Sequence, residues 1–220
     1  MPGDAADLDQ FAAYAAAHKL ALEPEGRLPR TTPLLAEGEL RSVEALMRGW
    51  LGEYLEAQIA IVRRAGADDQ DAQDFTVAVT HVPKAKRFAP WLLCHRVEDE
   101  HLLGRAAEQL IHGNDRVDLE SAELDRCYRI YASPDRDDVW LRELFSPGFI
   151  VFLLDLAPTG FAFEYVEGTL CVSQHGRLTL AEDIDRLRDA TVELVARVRA
   201  EIRERLGEAQ GRSGASGWEG

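Results

Sequence analysis

With 220 residues and 46% hydrophobic content, the chain is large enough to bury a sizeable core and too apolar to be a disordered chain. Its formal net charge of −14 repels phosphate backbones and anionic headgroups, so no nucleic-acid partner is expected; the densest cationic stretch, Lys84-Ala85-Lys86-Arg87, reads as an exposed turn after Pro83. The cysteines, Cys94, Cys127 and Cys171, are too few and too scattered for a disulfide framework or a zinc site, and with an N-terminus that lacks a signal peptide they suggest a reducing, cytoplasmic setting.

In chain order, residues 4–19 predict a helix with Leu8, Phe11, Ala12 and Ala15 on its apolar stripe, followed by a short extended piece at Leu20–Leu22. Three prolines and two glycines make 23–38 an irregular loop. Residues 39–64 fit two patterns. Val43, Leu46, Met47, Trp50 and Leu51 suit a helix, although Gly49 and Gly52 would each cost it about 1 kcal/mol. The alternative is a hairpin turning at Gly49-Trp50-Leu51-Gly52, with arms at 41–48 and 53–63 and with Leu55, Ala57, Ile59 and Ile61 on one face. After a polar loop at 66–74, Phe75–Val82 alternates as a strand, and Trp91–Val97 is another. Glu98–His112 predicts a helix stopped by Gly113-Asn114. Arg116–Glu120 and Arg126–Ala132 look like two further strands.

Ser133-Pro134 and Ser146-Pro147 each place a serine at N-cap and a proline at N1, which predicts two helix starts. The second helix is the most apolar run in the chain, Gly148–Leu156, and is too short to span a bilayer, so no membrane insertion is expected. Phe161–Val166 and Thr169–His175 form a hairpin across Glu167-Gly168, with Phe161, Phe163 and Tyr165 on one face. Residues 180–206 form a long amphipathic helix on a stripe from Leu180 and Ile184 to Val198 and Ile202, opened by a Thr179/Glu182 capping box and ended at Gly207. Part of that stripe has coiled-coil-like spacing, which keeps a homodimer open.

Chemistry-bearing residues are sparse. His95, Asp99 and His101 would share a face only if the strand at Trp91 continued, so no metal site is expected. His112, Ser121 and Asp125 lack the strained elbow of a serine nucleophile; Ser121 reads as a turn or capping serine. There is neither a dinucleotide nor a Walker glycine motif, so no cofactor is expected. The paired acids read as solvated faces. The aromatic set around the second Ser-Pro helix reads first as packed core. The sharper expectation is an apolar pocket or partner groove there, built by Trp140, Phe145, Phe149, Phe152 and Tyr165.

Two stretches, Val117-Asp118-Leu119-Glu120-Ser121 through Cys127-Tyr128-Arg129-Ile130-Tyr131, and Trp140 through Pro147 with Phe149-Ile150-Val151, resemble a family. The resemblance continues through Gly160-Phe161-Ala162-Phe163-Glu164 and Gly168-Thr169-Leu170-Cys171. The family is a group of uncharacterised soluble bacterial proteins, similar to a domain of unknown function that in relatives follows N-terminal membrane helices. It implies an α+β domain and carries no catalytic residue onto these positions.

The expectation is therefore one α+β domain over 1–206, a mainly antiparallel sheet with helices on one face, and a disordered Gly/Ser-rich tail at 207–220. The expected role is a non-enzymatic binding or protein-interaction module with an unknown protein or a small apolar ligand as partner. An enzyme with a dispersed site is the alternative.

Overall fold

The computed structural model describes residues 3–23, 26–65, 72–114 and 116–215. Eight strands form one sheet: β1 (Ala21–Leu22), β2 (Leu40–Leu51), β3 (Leu55–Arg64), β4 (Gln73–His81), β5 (Trp91–Arg96), β6 (Tyr128–Ala132), β7 (Ala162–Val166) and β8 (Thr169–His175). Their spatial order is β1-β2-β3-β4-β8-β7-β5-β6, and every pairing is antiparallel. The helices are α1 (Gly3–Ala17), α2 (Arg105–Ile111), α3 (Ala122–Cys127), α4 (Asp138–Leu144), α5 (Pro147–Val151) and α6 (Ala181–Ala215). This is the α+β class expected from the pattern, including the long final helix.

The ambiguous 39–64 region is the hairpin β2–β3. Its turn lies at Gly52-Glu53-Tyr54, three residues later than the first glycine suggests, with Leu51 paired to Leu55. Gly52, the first of the three, takes a positive φ (64°), which glycine adopts without steric cost. Gly49 has a different task. It lies inside β2, where a Cβ would sit 2.6 Å from Leu20 Cδ2, so its bare backbone lets the chain before β1 pack against β2. The β7–β8 turn is as expected: Glu167 and Gly168 both take positive φ, the pair of left-handed residues that a two-residue hairpin requires.

One face of the sheet carries the larger core. Leu55, Ala57, Ile59 and Ile61 of β3, Phe163 and Tyr165 of β7 and the α6 stripe from Ile184 to Ile202 meet there, with Phe11 and Tyr14 of α1. The stripe is thus buried against the chain's own sheet, except Leu180 at its exposed start. The other face is also covered. Leu46, Ala60, Val62, Phe75, Val77, Val79 and Cys171 pack under Leu28, Leu34 and Leu35 from the 26–39 segment and under Leu102.

Four local expectations are corrected. The 98–112 helix is two pieces, a 3-10 segment Val97–Leu102 and α2, broken at Leu103-Gly104. The buried Glu39 carboxylate fills the place where a side chain at Gly104 would project and accepts the Ala106 N–H at 3.1 Å. The 116–120 strand is only a bridge from Arg116 to Tyr131, because Ser121 caps α3 by accepting the Leu124 N–H at 3.4 Å. The first Ser-Pro pair is a turn, and α4 starts later, where the Asp137 carboxylate accepts the Val139 and Trp140 N–H groups at 3.0 Å each. Finally, α6 passes Gly207 to Ala215; the remainder of the expected tail, 216–220, lies outside the described residues.

Gly49→Val is expected to displace Leu20 and lower the unfolding free energy by about 1–3 kcal/mol, read from urea denaturation followed by circular dichroism.

Candidate functional site

The aromatic set forms interior rather than surface. Trp140, Phe145, Phe149 and Tyr165 are buried and Phe152 is half-buried. The rings occupy one another's space: Phe145–Phe149 centroids are 5.5 Å apart, Phe149–Phe152 5.6 Å, and Phe152 meets Phe161 edge-on at 6.1 Å. Trp140 stacks on Phe88 at 5.6 Å, Tyr165 donates its hydroxyl to the Val82 carbonyl at 3.2 Å, and Arg197 covers Phe149 at 5.2 Å. The groove expected there is filled by these contacts. Ser121 is the capping serine, and Asp125 pairs with Arg116 at 3.3 Å. Among the described residues, no group of three metal-ligating side chains gathers.

Polar side chains collect instead on the second face of the sheet, around a cavity of about 50 Å³. Its floor is Ala162, whose small side chain leaves the space open. Ser173 is the cross-strand partner of Ala162 on β8. His95, one residue beyond the Cys94–Phe163 pair, lies across from it on β5. Glu164 is the next inward residue along β7, and Leu34, Leu102, Leu103 and Ala107 roof the space. Arg64, Asp99, Gly160 and His175 stand at its mouth, which continues into an open cleft between residues 38–39, 72–73 and 101–108. A volume of this size holds one or two waters, or the terminal group of a larger ligand.

The polar groups are incompletely matched. His95 is only 5% exposed, and burial pushes its pKa below the usual value, so the ring is neutral. Its Nδ1 lies 3.2 Å from the Arg96 carbonyl, which can only accept; Nδ1 therefore carries the hydrogen and Nε2 presents a lone pair. That Nε2 is buried and has no partner. Arg64 is also 5% exposed; it donates to Gln73 Oε1 at 2.7 Å and lies 5.3 Å over the Phe75 ring, yet its buried Nε–H has no acceptor. Glu164 accepts the Leu34 N–H at 2.8 Å. Burial raises its pKa to about 7, with the Leu34 N–H and the Arg64 guanidinium opposing the rise. The cavity thus offers an unpaired acceptor, an unpaired donor and a carboxyl that changes protonation near neutrality.

His95 and Asp99, considered in the sequence only as metal ligands, both line this cavity, while His101 lines the neighbouring cleft. Arg64, Glu164, Ser173 and His175 were not singled out, and the sequence-level view that no reactive groups gather is corrected by them. The available signal was apolar residues at both parities of Trp91–Arg96 and Thr169–His175, the mark of strands buried on both faces. In such strands His95 and Ser173 face protein rather than water, whereas Glu164 lies on β7, whose alternating pattern gave no such sign.

No protein-family model matches the chain, and no curated protein matches it in sequence. Among solved structures the chain is similar to the mycobacterial trehalose monomycolate transport factor A, TtfA, with a TM-score of 0.54 at 12% identity, covering 90% of this chain and 94% of that one. At that identity the likeness is one of fold. No helix among the described residues is long and apolar enough to cross a membrane.

Phe149→Ala is expected to cost about 3–5 kcal/mol in urea unfolding, as for a ring deleted from a packed interior. Glu164 also makes stability depend on pH. Its folded pKa of about 7 lies above the ordinary 4.5, so its contribution is fully present below about 4.5 and is lost as pH rises through about 7. The unfolding free energy of Glu164→Gln relative to the native chain should therefore rise across that window; a flat difference would mean that the carboxyl is ionised throughout.

Proposed function

We propose that this chain is a non-enzymatic binding module that holds the hydroxyl-bearing end of a small ligand in the cavity on the second face of the sheet, with the rest of the ligand in the adjoining cleft. The observation that carries this reading is the pair of buried, unmatched groups, His95 Nε2 and Arg64 Nε, around one small space beside Glu164. A hydroxyl donates to one and accepts from the other, whereas each group left without a partner costs about 1–3 kcal/mol. The fold neighbour is named as a transport factor, which agrees with holding a ligand or partner rather than transforming it. The free thiols Cys94, Cys127 and Cys171 agree with a reducing compartment, and the resemblance over 115–206 with membership of the uncharacterised bacterial family.

One observation favours the dispersed-site enzyme as the second reading: a histidine and a carboxyl with a pKa of about 7 share a cavity. Against it, His95 Nε2 holds no hydroxyl, so Ser173 is not activated by it.

Thermal-shift screening against a panel of sugars and polyols tests the binding reading. At least one compound should raise the melting temperature of the native chain, and Ala162→Leu, which fills the cavity floor, should abolish that shift while preserving the circular dichroism spectrum. A shift that survives Ala162→Leu would move the site elsewhere, and turnover of a bound compound would favour the enzyme.

A further inference from the structure

The edge of the sheet opposite the cavity mouth gathers residues that are far apart in the chain. The β2–β3 tip projects Trp50 and Tyr54, which are 62% and 76% exposed. Beside it lies the 3-10 turn Pro83–Arg87 with exposed Lys84, Lys86 and Arg87. The late turns of α6 add Arg199 and Arg203; Arg199 donates to the Tyr54 carbonyl at 3.0 Å, tying helix to tip. Lys19 is level with Trp50, since Ala21 pairs with Arg48 and the strands run antiparallel. Every lysine of the chain is thus at this edge. Between Lys84 and Arg203 lies an apolar strip made by Val82, Pro83, Ile202 and Leu206.

Carboxylates are interspersed at this edge, among them Glu201 and the exposed Glu204 on the same turns of α6. Glu53 and Glu56 are exposed, Glu167 is 3.8 Å from Lys86, and Glu23 is 3.6 Å from Arg48. Around the cavity mouth, Glu98, Asp99 and Glu100 share one short segment, with Arg64 and Arg105 lining the cleft beside it. Within a chain of net charge −14, this end gathers all three lysines with Arg87, Arg199 and Arg203 beside two largely exposed rings.

We propose that this edge is a peripheral docking surface for an anionic lipid bilayer. Tryptophan and tyrosine rings rest at headgroup depth, and lysine and arginine beside them are drawn to a negative leaflet. Trp50 stands just before the turn and Tyr54 within it, both projecting from a hairpin tip, a placement that suits insertion at headgroup depth. With the β2–β3 tip seated on the leaflet, the cavity mouth, at the opposite end of the strands, faces water. The proposal is independent of the ligand reading of the cavity.

Vesicle flotation of the full chain tests it, with phosphatidylcholine vesicles compared with equimolar phosphatidylcholine and phosphatidylglycerol. The native chain should float with the anionic vesicles, lose most of that binding in high salt, and ignore the neutral ones. Lys84→Glu with Lys86→Glu, and separately Trp50→Ser, should each weaken partition by about tenfold or more, since these exposed side chains contribute little to folding. Equal binding to both vesicle types, no binding to either, or unchanged binding by the variants would overturn the proposal. Capture by immobilised poly-glutamate without vesicle binding would also overturn it, and would assign the edge to an acidic protein.

Discussion

The rest of the structure depends on one constraint: the central strands are covered on both faces. β3, β4, β8 and β7 send alternate side chains into the larger core and into the cavity layer. The first layer is uniformly apolar and needs only volume. The second must bury arginine, histidine and glutamate, and burial of such groups is tolerated only where each finds a partner. The covering segments supply several of these partners. Leu34 offers its N–H to Glu164, and Glu39 joins the 26–39 segment to α2 through Ala106. Two of the atoms left unmatched, His95 Nε2 and Arg64 Nε, belong to residues that line the cavity.

Much of the fold was legible because local chemistry and tertiary demand agree in it. The β7–β8 turn needs two left-handed residues and has Glu167-Gly168. α6 needs one apolar stripe and has it from Ile184 to Ile202. Legibility failed where a distant group overrides a local pattern. The periodicity of 98–112 is helical, but the Glu39 carboxylate, far earlier in the chain, occupies the space at Gly104 and divides the helix. Ser133-Pro134 has the form of a helix start, but the Asp137 carboxylate captures the free N–H groups first and is held by Arg205 at 2.7 Å.

The site was harder to read for a related reason. The aromatic residues are conspicuous in sequence, and their size is what places them in the interior, where they contact one another. The cavity is built from common residue types on five strands and two covering segments, and no spacing rule joins Arg64, His95, Glu164 and Ser173. Only sheet register brings them together. The basic edge is similar, since Lys19, Lys84 and Arg199 fall near each other only once β2, β3 and α6 are in place.

The sheet order also bears on how the chain assembles. β1 to β4 form a local meander, and β5, β6, β7 and β8 form a second unit; the two are joined edge to edge by β4 and β8, with Val77 opposite Ser173. On a ribosome the first meander is complete long before its neighbour has been synthesised. Until then the outer margin of β4 presents unsatisfied amide and carbonyl groups, the template on which strands of other chains can add. Closing that seam joins segments of large sequence separation, so its loop entropy makes it a late and slow step in folding. Because Phe75, Ser173 and His175 lie on both sides of the same seam, the cavity takes shape only when it closes.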